Sequence, residues 1–567
     1  MKILKKFITS TDFWSLLVVL FFGFLASRSL FGNGYFNMHD DLQMMRQLQM
    51  EKCLFDLQIP CRWVPDMGFG FGYPLFNFYP PLPYIVGELF RLLGLSFVGT
   101  AKALFVTAFF VSGITMYYLA KEFFGRFGGV ISAIFYIWAP YHSVDIFVRG
   151  AMNESWALIW FPAILWTSYR LIVAKKNRIP WLVGLALSWF ALFTSHNLMV
   201  IVFAPVFALW CGLWFLYTKN WKNILQLLLA GFWSFGLAAF FTLPVLLEQK
   251  VVQTNTLVAG YYSYTAHFVS IGQLLFSRFW GYGPSVWLIE DRMSFQVGWL
   301  HWGIPLVLGA IAFVDIVKSR KIKPIHLVLA FALIAGWAAA FMTHPRSVFI
   351  WEKFEGVYQF VQFPWRFLTI VIVAFSFAAG AAAKLVTRKT KLVGFLMVIS
   401  VLVYSWSYFF PENGHLGALT DREKFSGFAW ELQQTAGIYD YLPNTAEMAP
   451  NSVQTVLAEF MEGSGEIQNA SQGTDWGQFT AVVNEDSVIR VNIFDFPGWT
   501  VYIDGEPVEK FMPDDNSEKW GRFYFRIPVG TYEISVKLHN TFPRTIGNIA
   551  SLASWGVLGV LLTRKKK

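Results

Sequence analysis

The sequence has 567 residues, of which 55% are hydrophobic and only 14% are charged. With a mean hydropathy of +0.46, this composition indicates a membrane protein with many spans and excludes an ordinary soluble domain. The net charge of +9 does not predict nucleic-acid binding, because the Lys and Arg residues fall in short clusters beside apolar runs. Such clusters are typical of the signals that orient membrane proteins.

Apolar runs long enough to cross a bilayer occur along most of the chain. We count about twelve of them, each roughly 17–25 residues long. They are 13–31, 100–120, 128–146, 155–173, 180–195, 198–217, 224–246, 299–317, 324–343, 366–386, 392–410 and 546–563.

The basic clusters test this count, because they concentrate on the cytoplasmic side of a membrane protein. They occur at every second connection: Lys5-Lys6, Lys121 to Arg126, Lys175 to Arg178, Lys219 to Lys222, Lys318 to Lys323, Lys384 to Lys391 and Arg564 to Lys567. We therefore expect a multi-pass protein of the plasma membrane with both termini in the cytoplasm. The long segments 32–99, 247–298, 344–365 and 411–545 are then extracytoplasmic.

The first long loop, 32–99, begins with Met38-His39-Asp40-Asp41 and continues with a segment of helical spacing. Projected as a helix, this segment is amphipathic, and we expect it to lie on the membrane surface. Asp40 falls on its polar side and Asp41 projects toward its apolar side. Either aspartate could simply cap the helix, and spacing alone favours that interpretation. Cys53 and Cys61 share the loop and could form a disulfide if the loop is extracytoplasmic.

Further ionisable residues lie at the predicted outer ends of the spans. They include His142, Asp145, Arg149, Glu154, His196 and Arg366. Any one of these residues could be explained by a side chain that reaches to the membrane–water interface. Their convergence on the outer side of the membrane favours a functional site. Arg149 and Arg366 are suited to bind a phosphate at a lipid interface. The aromatic run with Trp280 and Tyr282 could stack on a sugar ring or an isoprenoid, although interfacial packing explains it equally well.

Residues 411–545 differ from the rest, because short runs there alternate apolar and polar side chains, which predicts β-strands. The runs are Val488–Phe494, Thr500–Ile503, Arg522–Ile527 and Thr531–Leu538. Asp504-Gly505 predicts a hairpin turn. We expect a membrane domain in 1–410, a small antiparallel β-sandwich in 411–545, and a last span with a basic tail in 546–567.

No sequence motif assigns a cofactor. The glycines from Gly68 to Gly72 neither follow a predicted strand nor open a helix, so they do not match a dinucleotide-binding loop. The Walker pattern, HExxH, paired cysteines at zinc spacing and a Gly-x-Ser-x-Gly nucleophile motif are absent from the sequence. The sequence therefore marks no definite metal site.

Several segments resemble the YfhO-like bacterial membrane proteins, and the long first loop with its acidic motif resembles the GT-C superfamily of membrane glycosyltransferases. The matching segments are His39-Asp40, 70–83, 149–154, 195–197, 279–283, 362–367 and 497–505. The resemblance spans nearly the whole chain, and the first-loop segment is its most specific part. It implies an all-α polytopic fold, with the first outer loop lying over a cavity and an extracytoplasmic β-sandwich near the C-terminus.

The resemblance also implies a reaction. A polyprenyl-phosphate sugar would enter the cavity from the membrane, and its sugar would pass to a glycan, lipid or protein acceptor. Asp40 would be the general base, with His39 and Asp41 beside it, and Arg366 and Arg149 would bind the donor phosphate. The residues expected to contact substrate or to support the site are Glu154, His196, Trp280 and Tyr282.

The resemblance leaves the base open between Asp40 and Asp41, because many relatives have a single acid followed by a Phe-His pair. Some GT-C enzymes use a divalent metal, so a metal is a possible cofactor. The main alternative function is a transporter or lipid flippase, and a non-catalytic membrane scaffold is another. A transporter would favour ionisable residues in mid-span and inverted repeats, whereas the charged groups here gather at the predicted outer ends.

Overall fold

The computed structural model describes residues 11–286, 291–414, 417–513 and 519–563. The chain forms two compact units: one has residues up to 41, 93–235 and 260–419, and the other has 42–92, 236–259 and residues from 420 onward. The longer α-helices are, in chain order, α1 (Thr11–Ser27), α2 (Gln43–Phe55), α3 (Leu82–Leu92), α4 (Phe97–Ile137), α5 (Met152–Val173), α6 (Ile179–Ser195), α7 (Asn197–Thr218), α8 (Ile224–Leu237), α9 (Ala239–Glu248), α10 (Trp299–Ser319), α11 (Pro324–Met342), α12 (Leu368–Ala379), α13 (Thr390–Ser405), α14 (Gly427–Thr435) and α15 (Phe542–Thr563).

The first unit is a helical bundle. Helix α4 packs against α1, α5 and α12, while α5 also packs against α6 and α7. These helices are apolar on nearly all faces, as expected where a helix contacts both lipid and its neighbours. Helix α4 contains a kink at Gly125, whose φ of 74° lies in a region that glycine adopts without steric strain. The two halves of α4 fold back on each other at this residue, since a Cβ on Gly129 would lie 3.0 Å from the Tyr117 carbonyl oxygen and one on Gly113 would lie 2.5 Å from the Ile137 side chain. Each half corresponds to one predicted span.

The number of helices long enough to span a membrane does not confirm the predicted number of spans. Within the described residues, eight helices are long and apolar enough to cross a membrane, or nine if a bent helix pair around residue 238 is one span. Helix α4 is counted once although it contains two of the predicted spans, α6 has only 17 residues, and α15 is not among the eight. The membrane-protein class is supported, and the count of about twelve is not confirmed.

The helix predicted after the first acidic motif begins at Gln43. Leu42 occupies its N-cap position, so Asp40 and Asp41 precede the helix instead of lying on its two sides. Its polar side is largely buried, and the Gln43 side-chain oxygen accepts a 2.6 Å hydrogen bond from the Tyr84 hydroxyl of α3. The expected placement of Asp40 on a polar helical face is therefore wrong, because the backbone becomes helical only after the acidic pair.

The disulfide that the sequence allowed joins Cys53 in the last turn of α2 to Cys61 in the loop that follows. Both cysteines are buried, and the Cys53 sulfur lies 3.5 Å from the carbonyl oxygen of Trp63. The third cysteine, Cys211, is free and buried in α7, as expected for a core residue. Disulfides persist mainly in oxidising compartments.

The second unit contains two antiparallel sheets. The strands are β1 (Ala458–Glu462), β2 (Gly465–Gln472), β3 (Trp476–Val483), β4 (Ser487–Phe494), β5 (Trp499–Ile503), β6 (Glu506–Val508), β7 (Lys510–Phe511), β8 (Arg522–Ile527) and β9 (Gly530–Leu538). One sheet has the order β1-β4-β8-β7 and the other β2-β3-β9-β5-β6. The predicted antiparallel sheet domain is confirmed, and buried side chains of both sheets, such as Ile489 and Val536, belong to one apolar core.

The predicted turn at Asp504-Gly505 joins β5 to β6. Strand pairing matches Ile503 with Glu506, so the two residues form a two-residue hairpin loop. Both have positive φ, 50° for Asp504 and 88° for Gly505. This conformation is the one that makes Asp-Gly a preferred hairpin sequence.

Candidate active site

The backbone of the first acidic motif is fixed against the segment that follows α4. The His39 N–H donates to the Val148 carbonyl oxygen at 3.1 Å, and the Asp40 N–H donates to the Arg149 carbonyl oxygen at 2.9 Å. Residues 144–148 form a single π-helical turn, a feature often found at functional sites. These bonds bring the segment that contains the predicted base beside Arg149.

Gly150 allows this close approach. Its φ is +59°, and a Cβ built on it would lie 2.1 Å from the sulfur of Met38. Any other residue would meet both the strained backbone conformation and this side chain. Gly150 therefore sets the distance between the acidic motif and the π-helical turn.

His39 contacts a second part of the chain. Its Nε2 lies 2.9 Å from the carbonyl oxygen of Tyr282. Burial lowers the pKa of His39 below its ordinary value, so the neutral imidazole is favoured and its Nε2–H donates to this oxygen. The Tyr282 backbone thereby orients the residue that precedes Asp40.

Four charged residues form a buried cluster in the same unit. Arg149 Nη1 lies 2.8 Å from Glu154 Oε2 and also contacts Asp145 Oδ1. The Arg366 Nε lies 3.4 Å from the same Glu154 oxygen, and the Tyr141 hydroxyl donates to Glu154 Oε1 at 2.8 Å. Buried charges of this kind are stable only when they are paired and hydrogen-bonded.

The two arginines are held differently. The Arg149 guanidinium is engaged on several sides, since it contacts two carboxylates and donates to Tyr141, and its Cζ lies 4.4 Å from the Trp365 ring centroid. Arg366 has one carboxylate neighbour, and its Nη1 donates to the Val361 carbonyl oxygen at 2.8 Å. Arg366 is therefore the better candidate to bind an added anion.

The net charge of the cluster depends on the protonation of Asp145. Asp145 lies outside the helices long enough to span a membrane, and burial, together with the Glu154 carboxylate, raises the pKa of Asp145. When Asp145 is a neutral acid, two guanidinium groups face the single carboxylate of Glu154. Such a cluster can accommodate one more negative charge.

His196 lies at the junction between α6 and α7, is partly buried, and is close enough to Arg149, Glu154 and Arg366 to be affected by their charges. Burial and the positive charge of Arg366 lower its pKa to about 3, so the imidazole is neutral. Its neighbour Ser195 accepts a 2.9 Å hydrogen bond from the Trp160 indole. The structure thus brings Arg149, Glu154, His196 and Arg366 together from distant parts of the sequence.

Trp280 and Tyr282 make contacts that account for them as packing residues. The Trp280 ring stacks on Tyr408 at 4.8 Å with an interplanar angle of 17°. The Tyr282 hydroxyl donates to the Phe410 carbonyl oxygen at 2.8 Å. Their contact with a substrate stays a prediction.

Three residues of this site had no role in the sequence-based interpretation: Tyr141, Asp145 and Trp365. Asp145 was noted only as one of several ionisable residues near the membrane, although its spacing of four from Arg149 is a known signal for a helical ion pair. Tyr141 and Trp365 gave no signal, because single aromatic residues are common throughout this chain. Among the described residues, no group of three or more His, Cys, Asp or Glu side chains could hold a metal ion.

No protein-family model matches the chain. An uncharacterized protein of Lactococcus lactis subsp. cremoris (strain MG1363) is 22% identical over 245 residues, which cover 41% of this chain and 39% of that protein. The chain thus spans well under half the length of this relative. The resemblance to YfhO-like proteins is not confirmed by these comparisons.

Solved structures that the chain is similar to include two membrane glycosyltransferases. One is the arabinofuranosyltransferase AftD from Mycobacteria, with a TM-score of 0.42 and 11% identity over 71% of this chain and 27% of that one. The other is the Archaeoglobus fulgidus oligosaccharyltransferase, with a TM-score of 0.44 and 10% identity over 74% of this chain and 57% of that one. TM-scores this low assign no activity to the present chain.

Proposed function

We propose that this protein is a membrane glycosyltransferase that moves a sugar from a polyprenyl-phosphate donor to an extracytoplasmic acceptor. The acceptor is a glycolipid, a cell-envelope polymer or a protein. The observation that carries the proposal is the hydrogen bond from the Asp40 N–H to the Arg149 carbonyl oxygen. It brings an acidic segment beside a buried cluster in which, when Asp145 is protonated, the positive charge of two guanidinium groups exceeds the negative charge of one carboxylate by the charge of one phosphodiester.

In the proposed reaction, Asp40 removes the proton from an acceptor hydroxyl. The resulting oxygen attacks the anomeric carbon of the donor, and a new glycosidic bond forms on one face of the sugar. The bond between the anomeric carbon and the phosphate oxygen breaks, and polyprenyl phosphate leaves with the electron pair. One such displacement inverts the anomeric configuration. Asp41 is the alternative base, and neutral His39 helps to orient the segment.

Arg366 is the proposed ligand of the donor phosphate, with Arg149 behind it. A phosphodiester carries one negative charge, which matches the excess charge of two guanidinium groups over the Glu154 carboxylate. Because the site is buried, this attraction is stronger than it would be in water. As the lipid phosphate leaves, its growing charge is stabilised by groups already in position.

The proposed orientation has the first loop and the sheet domain outside the cytoplasm. The Cys53–Cys61 disulfide supports this orientation for the first loop, because disulfides are rare in the cytoplasm. The division at residues 410 and 545 and the cytoplasmic termini stay predictions. A nucleotide sugar is a cytoplasmic metabolite, so a lipid-linked donor fits this orientation better.

The test uses purified full-length protein in lipid nanodiscs with labelled polyprenyl-phosphate glucose and related donors. Sugar transfer or donor hydrolysis is measured for the wild type, Asp40→Asn and Asp41→Asn. The isosteric amide cannot accept the acceptor proton, so Asp40→Asn should lose about a hundredfold or more in turnover. Asp41→Asn is the matched control and should retain turnover, and both variants should keep the wild-type unfolding temperature.

The opposite ranking of the two variants would reassign the base to Asp41. Full turnover in both would remove catalysis from this segment. For the phosphate, Arg366→Ala should weaken binding of bare polyprenyl phosphate, while Arg346→Ala, which removes an exposed arginine, should not. Equal binding by the two arginine variants would remove Arg366 from the donor site.

A further inference from the structure

Arg366 and three residues near it carry buried polar atoms without hydrogen-bond partners. In the described part of the chain, Asp145 Oδ2, His196 Nδ1, Trp365 Nε1 and Arg366 Nε are buried side-chain atoms with no hydrogen-bond partner. Folded proteins satisfy nearly all such atoms, and a group of them at one place indicates a ligand or water that completes the bonds. The charged cluster described above does not use the first three of these atoms, and it uses Arg366 Nε only through the 3.4 Å contact with Glu154 Oε2.

The residues that carry these atoms adjoin the proposed phosphate ligand. Trp365 precedes Arg366 in the chain, and its ring packs beneath Arg149 at 4.4 Å and faces Phe363 at 4.8 Å. Asp145 binds Arg149 through Oδ1 and leaves Oδ2 unused. His196 lies close enough to Arg366 for its charge to affect the imidazole.

The chemistry of the set differs from that of an anion site. A phosphate needs donors only, whereas here a carboxyl oxygen and an indole N–H are accompanied by an imidazole nitrogen that donates or accepts. Hydroxyl groups both donate and accept, so a ring with several hydroxyls satisfies all three. The sugar of a polyprenyl-phosphate donor is joined directly to the phosphate, and its hydroxyls therefore lie within a few ångströms of the phosphate ligand.

We propose that Asp145, His196 and Trp365 bind the hydroxyl groups of the donor sugar and that this sugar is neutral. The inference rests on the proposed function, because it uses Arg366 as the phosphate ligand. A sugar with its own carboxylate would add a second negative charge beside Glu154, and the two arginines of the cluster have at most one positive charge in excess of its carboxylates. A neutral hexose or pentose meets no such repulsion.

Trp365→Phe tests the subsite, because it removes the indole N–H and keeps an aromatic ring over Arg149. The matched control is Trp351→Phe, since Trp351 is equally buried but its Nε1 donates to the Met342 carbonyl oxygen at 3.1 Å. Binding of polyprenyl-phosphate glucose and of bare polyprenyl phosphate is measured by titration calorimetry in nanodiscs. The ratio of the two dissociation constants isolates the contribution of the sugar.

Trp365→Phe should weaken binding of the glucosylated lipid by roughly three- to tenfold, the effect of one lost hydrogen bond, and leave the bare lipid unchanged. Trp351→Phe should not change the ratio, but it should lower the unfolding temperature. Trp365→Phe should leave the unfolding temperature unchanged. Asp145→Asn is a second variant expected to change the ratio. Polyprenyl-phosphate glucuronate should bind the wild type more weakly than the glucose donor.

The outcomes separate the two proposals. If the wild type transfers glucose but Trp365→Phe and Asp145→Asn both keep the wild-type ratio, the sugar subsite is wrong and the proposed function stands. If glucuronate and glucose donors bind equally, the preference for a neutral sugar is wrong. If the wild type neither transfers sugar nor binds polyprenyl phosphate, the proposed function fails and the subsite fails with it.

Discussion

Replacing Gly150 with alanine should impair catalysis far more than folding. The new methyl group would lie 2.1 Å from the Met38 sulfur and 2.6 Å from its Cγ. Ordinary contacts between such atoms are about 3.5–4.0 Å, so Met38 must move by roughly 1.5 Å. Met38 directly precedes His39 and Asp40, whose N–H groups bind the 148–149 backbone, and the acidic segment should move with it.

The magnitude has two parts. Alanine in the left-handed region costs about 1–2 kcal/mol in folding free energy wherever it occurs. Displacement of a catalytic group by about 1 Å can cost on the order of a hundredfold in rate. Gly260→Ala is the matched control, because Gly260 has a φ of +58° and a Cβ there would meet no atom within 4 Å.

The assay compares kcat/KM for sugar transfer and the unfolding temperature of both variants in the same detergent. Both variants should lose a similar few degrees of thermal stability, while only Gly150→Ala should lose about a hundredfold in kcat/KM. Adding Met38→Ala to Gly150→Ala should restore part of the activity, because it removes the two nearest atoms, Sδ and Cγ, and leaves only the Met38 Cβ at 2.9 Å. Equal kcat/KM in the two single variants would refute the positioning role of the 148–150 segment.

Three further predictions concern the second unit. Burial raises the pKa of Glu88 to about 7. The free energy of unfolding should therefore fall by at most about 3 kcal/mol as the pH rises from 4.5 to 7. Glu88→Gln should abolish this pH dependence in melting curves recorded over the same range. Cys53→Ser should cost about 2–3 kcal/mol by breaking the bond to Cys61, and a reductant should then lower the melting temperature of the wild type only. Glu248→Ala should cost about 3–5 kcal/mol in denaturant unfolding, because it leaves buried Arg544 without the carboxylate 2.9 Å from its Nε; a loss below 1 kcal/mol would contradict this.

The sheet domain was predictable where alternation is strong. The predicted runs after residue 487 coincide with β4, β5, β8 and β9, and the Asp504-Gly505 turn is where it was expected. Strand β2 was missed, because nearly all of its positions are exposed and it has no apolar alternation. Its pairing with β3 depends on hydrogen bonds between the two backbones. These bonds do not require an alternating apolar pattern, so no pattern in the sequence indicated the strand.

The helical unit shows the limits of reading apolar runs. Length and hydropathy located both halves of α4, and the basic cluster from Lys121 to Arg126 located the turn at Gly125 between them. The short α6 is less clear, because its 17 residues lie at the lower limit of length for a span. Around the candidate site, the sequence identified Arg149, Glu154 and Arg366 as unusual. The pairing of Asp145 with Arg149 could have been predicted from their spacing of four. The packing of Trp365 under the Arg149 guanidinium could not, because the two residues lie far apart in the chain.

The most direct test of glycosyl transfer is the stoichiometry of the reaction in proteoliposomes. Polyprenyl-phosphate glucose labelled in both the lipid and the sugar is supplied, and the polyprenyl phosphate released is counted against the sugar transferred or hydrolysed. A transferase should release one lipid phosphate for each sugar removed, and Asp40→Asn should release almost none. Movement of intact donor across the bilayer, with no cleavage of the sugar–phosphate bond, would contradict the proposal and indicate a transporter.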